Sequence, residues 1–236
     1  ATLAYRIARF LLSQPMDDGG MFGAPQKPTS LETDPKHPVA RRIAAGADPS
    51  LFVLRRGGAG STESDQKKNL EAGKFAKDIR VDDVRKLNGF FNFSSAEGGR
   101  RVVIVDAADE MNVQAANALL KRLEEPPENA TLLLISHQPS RLLPTIRSRC
   151  RELRLSPLGD SDMTNALSQA LPDTDLDQRV LTALTSGSVG EAIRMTNHSG
   201  PAIYAELVGL FATMPRMDRA RALRLADAAA QRGAED

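Results

Sequence analysis

The sequence is poor in the residues that build disulfide frameworks and aromatic stacking surfaces. Among its 236 residues there is one cysteine and no tryptophan, and aromatic side chains make up 4%. A single cysteine excludes a disulfide framework and a multi-cysteine zinc site. So few aromatic residues argue against a stacking platform for single-stranded nucleic acid. With one thiol, a reducing cytoplasm is the expected location.

An excess of charge of one sign and long apolar runs are also lacking. Lys and Arg together number 31 and Asp and Glu number 30, which gives a net charge of +1. This balance excludes a uniformly basic nucleic-acid binder, although a local basic patch remains compatible with it. No stretch approaches the ~20 apolar residues that span a membrane, so no membrane partner is expected. The 41% of hydrophobic residues is typical of a globular protein.

The middle of the chain predicts an α/β fold with a parallel sheet. Residues 101–106 contain a continuous apolar run at 102–105 and end in a carboxylate, as in a strand buried on both faces. A helix at 112–124, stopped by Pro126, and a second buried strand at 131–136 follow. Residues 55–78 have no clear pattern and are expected to form a mobile surface loop or hairpin extension. Other predicted elements are an amino-terminal amphipathic helix, a short helix ending near Gly46, strands at 51–54 and 151–155, a helix at 81–88, a turn or short helix at 142–146, three short helices within 160–196 and two within 201–232.

Three blocks lie between Val102 and Cys150, namely residues 102–106, residues 117–127 and Ser148-Arg149-Cys150. Together they resemble the clamp-loader AAA+ ATPases, the family that includes subunits of bacterial DNA polymerase III and eukaryotic replication factor C. Residues 102–106 fit the family's Walker B strand, and residues 117–127 are similar to its NALLKxLEEPP helix. Ser148-Arg149-Cys150 matches its SRC motif. The resemblance implies an AAA+ core over residues 1–156 whose first strand and phosphate loop are missing. It also implies a helical lid at 157–200 and the start of a helical collar at 201–236.

Residues that differ from the family pattern indicate which kind of subunit this is. Ala107 stands where the family has a water-activating glutamate, and Gly190 stands where its lid carries a sensor arginine. No Gly-rich phosphate loop is present, and Ala1 would stand at the metal-binding Ser or Thr position if such a loop preceded it. These departures imply a stationary ring member without ATPase activity of its own.

Two alternatives come from other classes of protein. An ATP-hydrolysing gamma/tau-type motor subunit would need a glutamate after Asp106 and an arginine near Gly190, and both are absent. A stand-alone nucleic-acid-binding protein is disfavoured by the near-zero net charge and the few aromatic residues.

The resemblance makes Arg149 the candidate catalytic residue, as an arginine finger that acts in trans on a neighbouring subunit, with Ser148 and Cys150 as its motif neighbours. A guanidinium is planar and permanently charged, so it can be inserted onto a γ-phosphate. The alternative is that Arg147, Arg149, Arg151 and Arg154 form a solvated basic strand edge. Cys150 is interpreted as a packed small hydrophobe rather than a nucleophile.

Asp106 and Ser136 are the candidate residues of a degenerate nucleotide-binding edge. Asp106 ends the Walker B strand, and Ser136 ends the next strand, where the family places a polar sensor of the γ-phosphate. Asp106 is otherwise a capping aspartate, and Ser136 a strand-ending serine with a local hydrogen bond. Lys121 and Arg122, on the exposed side of their helix, are expected to contact DNA or a neighbouring subunit, or to be simply solvated.

The cofactor and partner expectations also follow from the resemblance. The family usually inserts a four-cysteine zinc module after its first helix. Residues 13–50 contain no cysteine and only one histidine, His37. We therefore expect no zinc, and ATP bound by the neighbouring subunits only. Expected partners are the gamma/tau and delta subunits, the sliding clamp and, through the assembled complex, primed DNA. Within such a polymerase holoenzyme this chain alone is expected to catalyse no reaction.

Overall fold

The computed structural model describes residues 1–14, 28–92, 99–172 and 178–232. The chain divides into two compact units, Ala1–Glu152 and Leu153–Asp236. The first unit contains α1 (Thr2–Ser13), α2 (Pro38–Ala44), β1 (Leu51–Leu54), α3 (Glu63–Glu71), α4 (Val81–Asn92), β2 (Arg101–Val105), α5 (Val113–Glu124), β3 (Ala130–Leu134) and α6 (Pro144–Arg147). The second unit contains α7 (Asp160–Ala170), α8 (Gln178–Thr185), α9 (Val189–Asn197), α10 (Gly200–Phe211) and α11 (Arg219–Arg232).

The first unit is built on a three-stranded parallel sheet of order β1-β2-β3. Successive side chains of β2 point to opposite faces. Val102 and Ile104 pack with Ala8 of α1 on one face, and Val103 and Val105 pack with residues of α4 and α5 on the other. The prediction of an α/β fold with a parallel sheet buried on both faces is confirmed.

The helix α5 has the limits that the sequence predicts. The Asn112 side chain accepts a hydrogen bond from the Ala115 backbone amide at 2.8 Å and caps its first turn. Ala115 and Leu119 form the buried face of the helix. Val113, the first residue of the helix, is exposed.

The predicted strand at 151–155 does not form. Leu153 is 68% and Leu155 is 70% exposed, and neither belongs to a strand of the sheet. Alternation of apolar and polar residues marks a segment that can form a strand, but a strand also needs a backbone partner. Among the described residues no strand pairs with this segment, so it lies outside the sheet.

The helix α3 lies within residues 55–78, where a mobile surface loop or hairpin extension was expected. The expected loop is wrong, whereas the hairpin extension is confirmed in part, because Gly58 and Phe75 form an isolated antiparallel bridge on either side of the helix. The Thr62 side chain accepts from the Asp65 backbone amide at 3.2 Å and caps the helix. Glycine is required before it at Gly58, because a Cβ there would come within 1.8 Å of the Gln66 carbonyl oxygen. The helix buries no side chain, so hydrophobic periodicity gives no signal for it.

The helix α4 continues past its predicted end at Asn88 to Asn92. The helix passes through Gly89, where nothing lies within 4 Å of an added Cβ. Phe90 and Phe91 then pack against the core of the first unit. This packing offsets the weak helix propensity of glycine.

The second unit is helical, and its helices α7, α8 and α9 pack around Met163, Leu167, Leu181 and Ala192. The turn between α8 and α9 depends on Gly187, which has φ +77° and lies so close to Leu158 that a Cβ would be 2.5 Å from its carbonyl oxygen. The helices predicted within 160–196 and 201–232 are confirmed. The division of this part into a lid and a collar stays a prediction. Among the described helices, none is long and apolar enough to cross a bilayer.

Candidate functional site

Asp106 and Ser136 lie at the carboxyl edge of the sheet, after neighbouring strands. Asp106 comes directly after β2, and its backbone amide donates to the Leu54 carbonyl oxygen at 2.8 Å. Ser136 follows Ile135, whose backbone amide donates to the Val105 carbonyl oxygen at 3.0 Å. The structure therefore brings both predicted residues to the edge where open parallel sheets bind their ligands.

Asp109, which sequence reasoning missed, lies at the same edge. It is 7% exposed, and its Oδ1 accepts a hydrogen bond from the His137 backbone amide at 3.0 Å. Burial raises the pKa of Asp109, but hydrogen bonds from the His137 and Asp109 backbone amides, together with the nearby Ser136 hydroxyl, outweigh it, so the pKa lies below its ordinary value of 3.8. The carboxylate thus ties the turn after β2 to the turn after β3. No local sequence pattern distinguishes Asp109 from other loop aspartates.

The Ser136 hydroxyl is buried between these two turns. It lies near enough to Asp109 to lower the pKa of that carboxyl, yet Oγ makes no hydrogen bond of standard geometry within the described residues. The local hydrogen bond of a strand-ending serine is therefore not formed. The assignment of Ser136 and Asp106 to a degenerate nucleotide-binding edge stays a prediction.

Ala107 lies beside Asp106 and is 7% exposed. This is the position where the family resemblance places a water-activating glutamate. A carboxylate here would be buried, and burial of a charge is costly unless it is paired and hydrogen-bonded. The edge therefore carries a small apolar side chain where the family resemblance predicts an acidic one.

The Ser148-Arg149-Cys150 segment follows directly on the short helix α6. Pro144 occupies the first turn of that helix, where its missing backbone N–H has no helical partner to lose. Ile146 is buried and fixes α6 against α5. The Ser148 hydroxyl donates to the Thr145 carbonyl oxygen at 3.0 Å and closes the last turn. The motif therefore directly follows a helix that is packed against the rest of the first unit.

The Arg149 guanidinium lies at the surface and has partners on two elements. Its Nη1 donates to the Thr145 carbonyl oxygen at 3.1 Å, and its Nη2 lies 2.7 Å from Oε1 of Glu124, at the end of α5. The Arg149 side chain is 37% exposed. The alternative prediction placed Arg149 and its neighbouring arginines on a solvated strand edge. The strand in that prediction is wrong, because residues 151–155 do not join the sheet. The pairing with Glu124 was not predicted, because nothing in the sequence links these two positions.

Cys150 is half-buried, and burial raises the pKa of its thiol above the ordinary value. A raised pKa keeps the thiol protonated at neutral pH, and a thiol is a much weaker nucleophile than a thiolate. This environment fits the interpretation of Cys150 as a packed side chain.

The expectation that Lys121 and Arg122 share an exposed face is wrong for Arg122. The Arg122 side chain donates to the Asn88 side-chain oxygen and lies over the Phe91 ring at 5.8 Å from its centroid. Both partners belong to α4, so Arg122 helps to join α5 to α4. Lys121 is exposed.

Gly190 lies in the first turn of α9, after a cap in which the Ser188 side chain accepts from the Glu191 backbone amide at 3.3 Å. A Cβ added at Gly190 would meet nothing within 4 Å. The glycine is therefore not required by packing, and the position has room for a longer side chain.

His37 serves as the cap of α2, since its Nδ1 accepts a hydrogen bond from the Val39 backbone amide at 3.3 Å. Within the described residues, no group of three or more His, Cys, Asp or Glu side chains is arranged to hold a metal ion. Residues 15–27, part of the segment compared with the family's zinc module, lie outside the described residues.

The parallel sheet, packed against helices on both faces, defines an α/β protein, as the AAA+ resemblance implies. A family model described as "DNA polymerase III, delta subunit" matches residues 22–159, more than half of the 236-residue chain. The chain belongs to that family, which confirms the resemblance to clamp-loader subunits of DNA polymerase III that was inferred from its sequence. The relatives it matches include delta-prime subunits.

Several curated relatives are subunits of the same polymerase. The chain is 42% identical over 171 residues to the DNA polymerase III subunit delta' of Pseudomonas aeruginosa, covering 72% of this chain and 47% of that protein. It is 31% identical over 160 residues to the Bacillus subtilis delta' subunit, covering 67% and 42%. It is 28% identical over 148 residues to the tau subunit of Escherichia coli, covering 57% and 23%. The chain thus spans less than half the length of these relatives.

Among solved structures, a DNA polymerase III gamma subunit-related protein of Thermotoga maritima is 27% identical to this chain. The match has a TM-score of 0.39 and covers 67% of this chain and 47% of that one.

Proposed function

We propose that this chain acts as the stationary delta-prime member of a DNA polymerase III clamp loader, and that Arg149 acts on ATP bound by the neighbouring subunit. The observation that carries the proposal is the placement of the Arg149 guanidinium. It is partly exposed and held at the end of a helix that Ile146 fixes to the core. A cation held next to such a packed helix can contact a second molecule while its own chain stays folded.

The chemistry assigned to Arg149 is the stabilisation of charge. During phosphoryl transfer, negative charge is spread over the oxygens of the transferred γ-phosphoryl group. A planar guanidinium can donate two parallel hydrogen bonds to such oxygens, which an ammonium group cannot do. Because the chemistry takes place on the neighbour's nucleotide, Arg149 serves a reaction that this chain does not itself perform.

The same proposal holds that the chain hydrolyses no ATP. Ala107 supplies no base for the attacking water, and Gly190 supplies no cation for the γ-phosphate. A motor subunit of the gamma/tau type needs both groups. The proposed partners are the gamma/tau and delta subunits, the sliding clamp and, through the complex, primed DNA. The proposed location is the cytoplasm, and no zinc is expected in the chain.

The decisive experiment replaces Arg149 in a complete reconstituted loader. We expect Arg149→Ala to slow single-turnover hydrolysis at the neighbouring site by about 10³-fold or more, the range measured for arginine fingers. Clamp loading should fall with it. Arg149→Lys should recover little of the rate, because a point charge does not reproduce the planar fork.

The matched control is Arg147→Ala, which removes an exposed cation from the last turn of α6. It should leave hydrolysis and clamp loading unchanged. Circular dichroism and gel filtration should show that both variants fold and assemble. Equal rates for the Arg149→Ala and Arg147→Ala loaders would refute the proposed role of Arg149.

A further inference from the structure

Glu124 lies at a position that does not favour a carboxylate. It is the last residue of α5, and Glu125 follows it directly. The carboxyl end of a helix carries partial negative charge, so acidic side chains there are destabilising unless a cation compensates for them. Pro126 then ends the helix, which leaves both carboxylates beside the last turn. Helix stability therefore gives no reason for an acidic residue at this point.

The compensating cation of Glu124 is Arg149. Glu124 Oε1 lies 2.7 Å from Nη2 of Arg149, while Nη1 of the same guanidinium donates to the Thr145 carbonyl oxygen at 3.1 Å. Two terminal nitrogens bound to two different elements fix the plane of the group as well as its position. Arginine has five N–H donors, so these contacts leave others for a further acceptor.

Both partners are attached to packed parts of the first unit. Leu119 of α5 and Ile146 of α6 are buried, and the two helices contact each other. The ion pair thus joins two fixed points. The Glu124 side chain is 47% exposed and that of Arg149 is 37% exposed, and surface ion pairs of this kind contribute little to stability. Such an ion pair has a larger effect on the orientation of its side chains than on the stability of the fold, because a free arginine side chain samples many rotamers.

We infer that Glu124 is a positioning residue for Arg149, an inference that rests on the proposed function of Arg149 in trans. Glu124 holds the guanidinium in one orientation before the neighbour's nucleotide is engaged. The rotamer entropy of the arginine is therefore lost during folding rather than in the transition state. Glu124 itself contacts no nucleotide in this scheme.

The test compares Glu124→Gln with Glu125→Gln. Each replacement removes one negative charge from the same helix end with almost no change in shape, and Glu125 makes no ion pair in the described part of the chain. In the complete loader we expect Glu124→Gln to lower kcat at the neighbouring site by about 10-fold or more with KM nearly unchanged, because the finger is misplaced. Glu125→Gln should keep the unmodified rate. Combined with Arg149→Ala, Glu124→Gln should cause no further loss.

A second measurement reports on the ion pair without any activity. The ¹⁵N relaxation of the Arg149 Nε–H group in the complete subunit should show an ordered side chain in the unmodified protein and in Glu125→Gln. It should show a disordered side chain in Glu124→Gln. Unchanged order in Glu124→Gln overturns the inference.

The remaining outcomes separate this inference from the proposed function. A full-rate Glu124→Gln loader overturns the inference alone if Arg149→Ala is still inactive. A Glu124→Gln loader that hydrolyses ATP faster than the unmodified one would mean that Glu124 restrains Arg149. A further loss of rate from Glu124→Gln in the Arg149→Ala background would mean that Glu124 acts elsewhere. Either outcome contradicts a positioning role for Glu124. If Arg149→Ala itself is fully active, the proposed function fails and the positioning role fails with it.

Discussion

The carboxyl edge of the sheet and the segment around Arg149 belong to the same unit but use their polar groups differently. At the edge, Asp109 is 7% exposed and bound to a backbone amide of the adjacent turn. At the segment, the Arg149 guanidinium is 37% exposed and bound at the surface. A buried, hydrogen-bonded carboxylate stabilises the fold, whereas an exposed ion pair contributes little to it. The Asp109 carboxylate is thus committed to folding, whereas Arg149 can still contact another molecule.

The largest effect on stability is expected from Ile146, the buried apolar residue of the helix that precedes Arg149. Ile146→Ala should lower the free energy of unfolding by about 2–5 kcal/mol, because it leaves a cavity under α6. Ile146→Val, the milder truncation, should cost about 0.5–1.5 kcal/mol. Urea denaturation of both variants measures the difference. If Ile146→Ala hardly changes the free energy of unfolding, the helix that precedes Arg149 is not held by packing. The contrast between Arg149 and the carboxyl edge of the sheet would then lose its structural support.

The next effect tests the buried side of the comparison through pH. Asp109→Asn should lower the free energy of unfolding by about 1 kcal/mol at pH 7, since a hydrogen bond to a charged acceptor contributes about 1.5–3 kcal/mol and one to a neutral acceptor about 0.5–1.5 kcal/mol. The folded-state pKa of Asp109 is lowered, so this stabilisation is fully present above the ordinary value of 3.8 and is lost as the pH falls through the folded-state pKa.

The measurement is urea denaturation of the unmodified chain and of Asp109→Asn at several pH values. The difference between them should be constant near neutrality and should shrink below about pH 4. A difference that grows on acidification would contradict the assigned direction of the pKa shift.

The smallest effect is expected from Glu124→Gln on stability rather than on catalysis. Loss of the exposed ion pair costs about 0.2–1 kcal/mol, while removal of a carboxylate from the carboxyl end of α5 gains about 0.3–1 kcal/mol. The two changes oppose each other, so the free energy of unfolding should move by less than about 1 kcal/mol in either direction. A loss above about 2 kcal/mol would show that the Arg149 pair is a folding contact like that of Asp109, and the two regions would then not differ in kind.

Elements with an apolar face were predictable, and elements without one were not. Runs such as residues 101–105, and the spacing of Ala115 and Leu119, report burial directly. The helix α3 buries no side chain and is held by the Thr62 cap and by a hydrogen bond from Asn69 Nδ2 to the Ala59 carbonyl oxygen at 2.7 Å. Polar contacts of this kind leave no periodic pattern, which is why a loop was expected there.

The candidate site was predictable as a set of residue types but not as a set of contacts. The family motifs pointed to Arg149, Ser136 and Asp106 from local sequence. They gave no sign that Asp109 bonds to the turn after β3 or that Glu124 pairs with Arg149. Each of these contacts joins residues that are distant in sequence, and only packing of the helices and strands brings them together.

The sequence by itself determined the buried strands, the helices with an apolar face, the parallel sheet and the family, because apolar periodicity and motif spacing are local properties of the chain. The tertiary structure decided that residues 151–155 form no strand, because pairing needs a second backbone within reach. It also decided that Arg122 joins α5 to α4 and that Arg149 is held by Glu124. The partner of a long charged side chain depends on which surfaces meet after folding, and residue type alone does not determine that.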